Sequence, residues 1–269
     1  METEQIIGMA EAMAEIHRGR YLGGDPRKAF KDLGVSYVER DFPDPFDGLL
    51  RYKRGAFEVF VNTEHARTPG RRQFTAAHEL GHCTLPHHRQ GILQETLLHQ
   101  SSTGFQSNKQ YEYEADIFAS HFLMPTAEVD SCVRKKDWGA EEILTVSQKF
   151  GSSIISAAIR CQQVLSGDST LIYWRDGDYG WSWSGGSWGK TPFRSIRTTQ
   201  ELARGSATER VLHGDMESGK YLECGSTRSF WSRRVAHWSS QNDILIEYAI
   251  SLGQYGAMTL LRPDTRAYF

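Results

Sequence analysis

The sequence predicts an α+β fold divided between two domains. Three observations carry that expectation. The chain has 269 residues, too long for one small module and short for three full-sized domains. Its apolar residues change along the chain between helical spacing and strand-like alternation. Finally, all seven tryptophans lie beyond residue 137, whereas seven of the ten histidines fall between residues 65 and 121. The predicted division is therefore a histidine-rich unit over 1–130, a helical bridge over 131–166 and a tryptophan-rich unit over 167–269.

The elements follow in order. Ile6 to Arg18 has the spacing of an amphipathic helix, and Asp25-Pro26 opens a second that ends at Gly34. Val35 to Glu39 reads as a strand. Gly48 to Val61 reads as a hairpin, turning near Arg54-Gly55. Phe74 to Cys83 is a helix that Pro86 ends, and another runs from Tyr111 to Met124 and stops before Pro125. Residues 141–160 form two helices around Gly151, with Ser152 or Ser153 capping the second. Beyond Ser169 the pattern changes to strands. Asp176-Gly177-Asp178 sits between two of them, and Gly253-Gln254 turns a closing hairpin between Asp243–Leu252 and Tyr255–Arg262.

Composition excludes several classes. Hydrophobic residues make up 39% and charged residues 24%, ordinary for a globular protein. Mean hydropathy is -0.51, and no run approaches the ~18 apolar residues of a membrane-spanning helix. Met1 to Glu15 has no basic start, so no secretory signal is expected. Cys83, Cys132, Cys161 and Cys224 lie far apart without a CxxC pair, which excludes a disulfide framework and a zinc ribbon and points to the reducing cytoplasm. A net charge of -2 argues against nucleic-acid binding by the chain as a whole.

One motif carries chemistry. His78-Glu79-Leu80-Gly81-His82 places two imidazoles one helical turn apart on one face, where both reach one Zn²⁺ at about 2.0–2.1 Å. Glu79 follows the first ligand and is placed to take a proton from water rather than to ligate. Gly81 costs ~1 kcal/mol against alanine inside a helix, so a close approach by another backbone or by substrate is expected there. A catalytic zinc needs a third protein ligand. His88 has the spacing of the metzincin pattern, but Leu85-Pro86 stands where that pattern turns on glycine. On the 111–124 helix, Glu112 and Asp116 share a face, so Glu112 would ligate while Asp116 orients a ligand histidine through its other nitrogen. Glu114 is the rival ligand on that helix. The remaining histidines, His87, His88 and His99, read as a solvated loop, with a lid or an alternative metal trap as the functional reading.

These two motifs, Phe74 to His82 and Glu112 to Pro125, resemble those of the ImmA/IrrE family of zinc metallopeptidases. The resemblance covers roughly residues 35–166. It implies a zincin-like peptidase unit with one Zn²⁺ per chain, held by His78, His82 and Glu112, with Glu79 as general base. It also implies a helix-turn-helix-like bridge, an Xre-type helix-turn-helix repressor as protein substrate, and, by analogy with longer family members, a C-terminal sheet domain of GAF or PAS type. The strand near Phe57 to Val61 would hold substrate by edge pairing.

Two further expectations concern control. Residues 190–240 hold nine Lys/Arg against five acids, and Trp231 and Trp238 bracket Arg233-Arg234. Arginine beside exposed aromatics grips single strands, so single-stranded DNA is the expected activating ligand, set against core tryptophans under a solvated basic face. A thiolate could also occupy the open zinc position, with Cys132 ahead of Cys83. The competing class is a DNA-binding transcriptional regulator with a structural zinc. Ser153, Ser156 and Arg160 could touch phosphate in it, but residues 141–160 carry only Lys149 and Arg160 as cations.

Overall fold

In the computed structural model of the protein, residues 3–20, 24–64, 66, 68–95, 98–101, 109–133, 138–165, 167–175, 177–190, 202–231 and 244–264 are described. They form two compact units, Met1–Glu128 with Phe150–Ser153, and Val129–Lys149 with Ile154–Phe269.

The first unit opens with helices α1 (Thr3–Arg20) and α2 (Pro26–Asp32). Asp25 accepts the Arg27 amide at the start of α2, and Gly34 follows its end at φ 68, a conformation that costs glycine little. Strands β1 (Ser36–Arg40), β2 (Gly48–Lys53) and β3 (Ala56–Asn62) come next. The β2–β3 turn has positive φ at both Arg54 (54) and Gly55 (82), as a type I′ hairpin requires. Helix α3 (Pro69–Thr84) is capped by Thr68, whose side chain accepts the Arg71 amide. Helix α4 (Pro86–Glu95), strand β4 (Leu98–Ser101) and helix α5 (Lys109–Leu123) complete the set, and helix α6 (Thr126–Cys132) crosses the boundary between the units.

The sheet order is β1-β3-β2-β4, with β1 parallel to β3 and the other pairs antiparallel. This corrects one expectation. β3 is an inner strand whose backbone is paired on both sides, so the segment Phe57 to Val61 has no edge to offer a substrate. The outer strands are β1 and β4. At the end of β3, Asn62 is fully buried. Its side chain accepts the amides of Phe42 and Glu64 and donates to the carbonyls of Phe42 and Asp44. All its hydrogen-bonding positions are therefore filled.

Helix α5 packs on α1 and α3. Arg18 of α1 donates to the Phe122 and Leu123 carbonyls at 2.7 and 3.2 Å, satisfying the end of α5, and pairs with Glu128. Gly81 of α3 faces Phe118 of α5, and a Cβ there would lie 3.2 Å from that ring. The expected close approach exists, and a side chain makes it.

The second unit contains helices α7 (Ala140–Phe150, whose last residue belongs to the first unit) and α8 (Ile154–Val164), with Gly151 between them at φ 60. Strands β5 (Ser169–Arg175) and β6 (Asp178–Gly185) follow. Then come α9 (Ala207–His213), β7 (Tyr221–Thr227), the single turn α10 (Arg228–Trp231), β8 (Ile244–Ser251) and β9 (Ala257–Pro263). All pairs are antiparallel in the order β6-β5-β9-β8-β7. The core joins Ile172, Trp174, Trp188, Trp231, Leu245 and Leu261. Trp231 is 5% exposed and its indole N–H reaches Ser226 Oγ. It is a core residue, which corrects its expected role as a stacking platform. Arg160 is buried too, at 2% exposure, which removes it as a phosphate contact. Arg233, Arg234 and Trp238 lie outside the described residues. No helix among the described residues is long and apolar enough to cross a membrane.

Candidate metal centre

The histidines of α3 meet a carboxylate of α5. His78 Nε2 lies 3.1 Å from His82 Nε2 and 3.3 Å from a Glu112 oxygen, and His82 Nε2 lies 3.6 Å from the other Glu112 oxygen. Ligands about 2.1 Å from a tetrahedral zinc stand about 3.4 Å apart, so these separations match that coordination. His78 and His82 are buried, and Glu112 is half-buried.

Each imidazole is oriented through its other nitrogen. Asp116 Oδ1 stands 2.8 Å from His78 Nδ1, one turn along α5 from Glu112. With the proton on Nδ1, His78 donates to Asp116 and turns its Nε2 lone pair toward the centre. The second arrangement was not anticipated from the residues. His82 Nδ1 is 2.9 Å from His88 Nδ1, and His88 Nε2 is 2.9 Å from Glu114 Oε2. A proton donated from His88 to Glu114 leaves His88 Nδ1 to accept from His82 Nδ1. The His82 Nε2 lone pair then faces the centre as well.

This geometry sorts the candidate third ligands into two groups. Glu112 gathers with His78 and His82, whereas Glu114 gathers with His87 and His88. His88 presents a nitrogen to the back of His82 rather than to the centre, which corrects its reading as a metzincin-type ligand. The physical reason is local. Leu85 is extended (φ -66, ψ 119) and Pro86 starts α4, so the chain enters a helix instead of swinging back. The expected solvated loop over His87 and His88 is likewise a helix, with His88 fully buried against Tyr111, ring centroids 4.4 Å apart. Proline at the first helical position was the signal that could have found it. His99 falls on β4, opposite Leu50.

The electrostatics of the cluster favour positive charge on His78. Burial alone would depress the His78 pKa, but hydrogen bonds to Asp116 and Glu112 and the charge of Glu79 outweigh it and raise the group to about 10. Glu79 is fully buried. Its charge also acts on Cys83, whose thiol is pushed far up, chiefly by burial. Cys83 is thus an inert core thiol, and its expected role as a zinc-blocking thiolate is corrected. Cys132, in the second unit, has its sulfur 3.0 Å from Lys149 Nζ.

Residues 30–162, from the end of α2 to α8, match the family described as Peptidase M78, the IrrE N-terminal-like domain. No curated protein matches the chain.

Proposed function

Residues 30–162 belong to the IrrE N-terminal-like family of metallopeptidases, and from that premise we propose that the chain is a zinc-dependent endopeptidase with a zincin-like catalytic unit. The observation that carries the proposal is the spacing of the His78, His82 and Glu112 ligand atoms, 3.1 to 3.6 Å apart. His2Glu is a donor set that leaves a fourth position open for chemistry. Bound zinc supplies Lewis acidity, acidifying water and polarising a peptide carbonyl. Asp116 and His88 hold the two imidazoles with their lone pairs converging. Glu79 accepts the proton that water loses on attacking the peptide and returns it to the leaving amine.

The substrate we propose is an Xre-type helix-turn-helix repressor, cleaved in the cytoplasm; four free thiols fit that compartment. Residues 167–269 are proposed to gate cleavage by binding a signal, as a sheet domain of GAF or PAS type. Single-stranded DNA is the first ligand to try, contacting the segment of Arg233 and Arg234. Glu79→Gln tests the mechanism against a DNA-binding regulator with structural zinc. The variant should keep its metal and lose repressor cleavage by at least about 100-fold. Retained cleavage would overturn the peptidase mechanism.

A further inference from the structure

The metal centre leaves a second cluster of similar chemistry unused. α4 carries His87 and His88, and α5 carries Glu114. The two Nε2 atoms converge on one oxygen, Glu114 Oε2, with His88 at 2.9 Å and His87 also within hydrogen-bond distance. Among the described residues the partners of Glu114 are these imidazoles, and no lysine or arginine pairs with it. Glu114 is 1% exposed, and its other oxygen, Oε1, is buried without a hydrogen-bond partner. A buried carboxylate oxygen with no donor on it is a place where a cation can bind.

We propose that His87, His88 and Glu114 form a second divalent-cation site, of the zinc class, beside the first. Their ligand atoms lie within 4.8 Å of one another, as do those of His78, His82 and Glu112. Two imidazole nitrogens and one carboxylate suit zinc or cobalt better than the oxygen-seeking calcium or magnesium. To reach about 3.4 Å, the spacing around tetrahedral zinc, the His88 to Glu114 separation must open by about half an ångström and the His87 to Glu114 separation by about one. The His87 side chain is 23% exposed, which gives a cation its way in to a glutamate that is otherwise enclosed.

The two sites are joined by the 2.9 Å contact between His82 Nδ1 and His88 Nδ1. Two neutral imidazoles share one proton across such a contact. While it belongs to His82, the Nε2 lone pair of His82 serves the first site. A cation on His88 Nε2 leaves His88 its proton on Nδ1, so His88 becomes the donor and His82 the acceptor. Neutral His82 then carries its own proton on Nε2, where the first cation needs the lone pair. Filling the second site therefore opposes filling the first, a coupling that rests on His78, His82 and Glu112 being the primary centre.

The test is metal stoichiometry on the full-length chain, stripped with a chelator and titrated with Zn²⁺ by equilibrium dialysis, then with Co²⁺ to read the visible absorption of each site. Wild-type protein should bind two equivalents, the second more weakly. His87→Ala, chosen because that residue is partly exposed, should bind one, as should Glu112→Ala. Glu114→Gln, checked for folding by circular dichroism, should repeat the His87→Ala result. One equivalent in the wild type, or two in His87→Ala, would overturn the proposal. Neither result depends on repressor cleavage, so the peptidase reading stands or falls separately on Glu79→Gln.

Discussion

Gly81 and Phe118 meet so closely that a methyl group on Gly81 would lie 3.2 Å from the ring. That contact sets how near α3 and α5 come, and hence whether Glu112 reaches the histidines. Phe118 cannot easily yield, being fully buried and stacked on Phe122. Gly81→Ala gains up to ~1 kcal/mol of helix propensity but over-packs the interface by about 1–3 kcal/mol. The expected net is a loss of about 1 kcal/mol in denaturant unfolding, with weakened zinc binding. Unchanged zinc affinity would mean the helices need not approach so closely.

Glu112→Ala should abolish tight zinc binding at the primary centre and remove activity with it. Asp116→Ala leaves all three proposed ligands and removes only the partner of His78 Nδ1. Its zinc affinity should fall by roughly 10–100-fold. A chelator competition assay separates the two effects, and equal losses would promote Asp116 from orienting group to ligand.

The raised pKa of His78 has a sign that can be checked on metal-free protein. Its value moves from 6.5 to about 10 on folding. Between those values the folded chain keeps a proton that the unfolded chain has lost. The resulting stabilisation is complete below pH 6.5 and disappears as pH rises through about 10. Urea midpoints of chelated protein should therefore decline across that interval. Zinc affinity should rise across it, approaching tenfold per pH unit, because the cation displaces the proton.

In the second unit, Glu247 is fully buried, and one of its oxygens accepts both the amide and the hydroxyl of Thr208, at 2.7 and 2.8 Å. Glu247→Ala strands those donors, at about 1–3 kcal/mol, and adds the cost of a cavity. Glu247→Gln keeps an acceptor and should cost less. Thermal unfolding would rank the two variants, and the reverse order would show that the negative charge itself matters most.

Much of the centre could be read from spacing alone. The two histidines and the carboxylates of α5 fall on single faces because helical geometry fixes positions one turn apart, and the structure brings Glu112 and Asp116 where that geometry points. What escaped was tertiary. Nothing in the order of His87 and His88 says that α4 folds back under α3 so that His88 touches His82. Likewise, the hairpin of β2 and β3 was legible from local alternation and the Arg54-Gly55 turn. The parallel docking of β1, which makes β3 an inner strand, depends on residues 22 positions apart, such as Ser36 and Glu58. In the second unit, Trp231 beside arginines looked like a surface device, and only its place in the buried cluster with Leu245 and Leu261 reveals it as core. α9 and β7 escaped because their short segments lack a long apolar period.

The hydrogen bonds around Asn62 bear on chemical ageing. Asparagine deamidates when the next residue's backbone nitrogen attacks the side-chain carbonyl carbon and ammonia leaves. Here the Thr63 amide is held by the Arg40 carbonyl at 3.0 Å, and the Asn62 carboxamide is fixed by four partners that prevent it from turning to meet an attack. Conversion to aspartate would also set a charge with no N–H of its own against the Phe42 and Asp44 carbonyls. The folded chain should therefore keep position 62 unaltered through prolonged storage, while unfolded chains accumulate the change that bars them from rebuilding this corner.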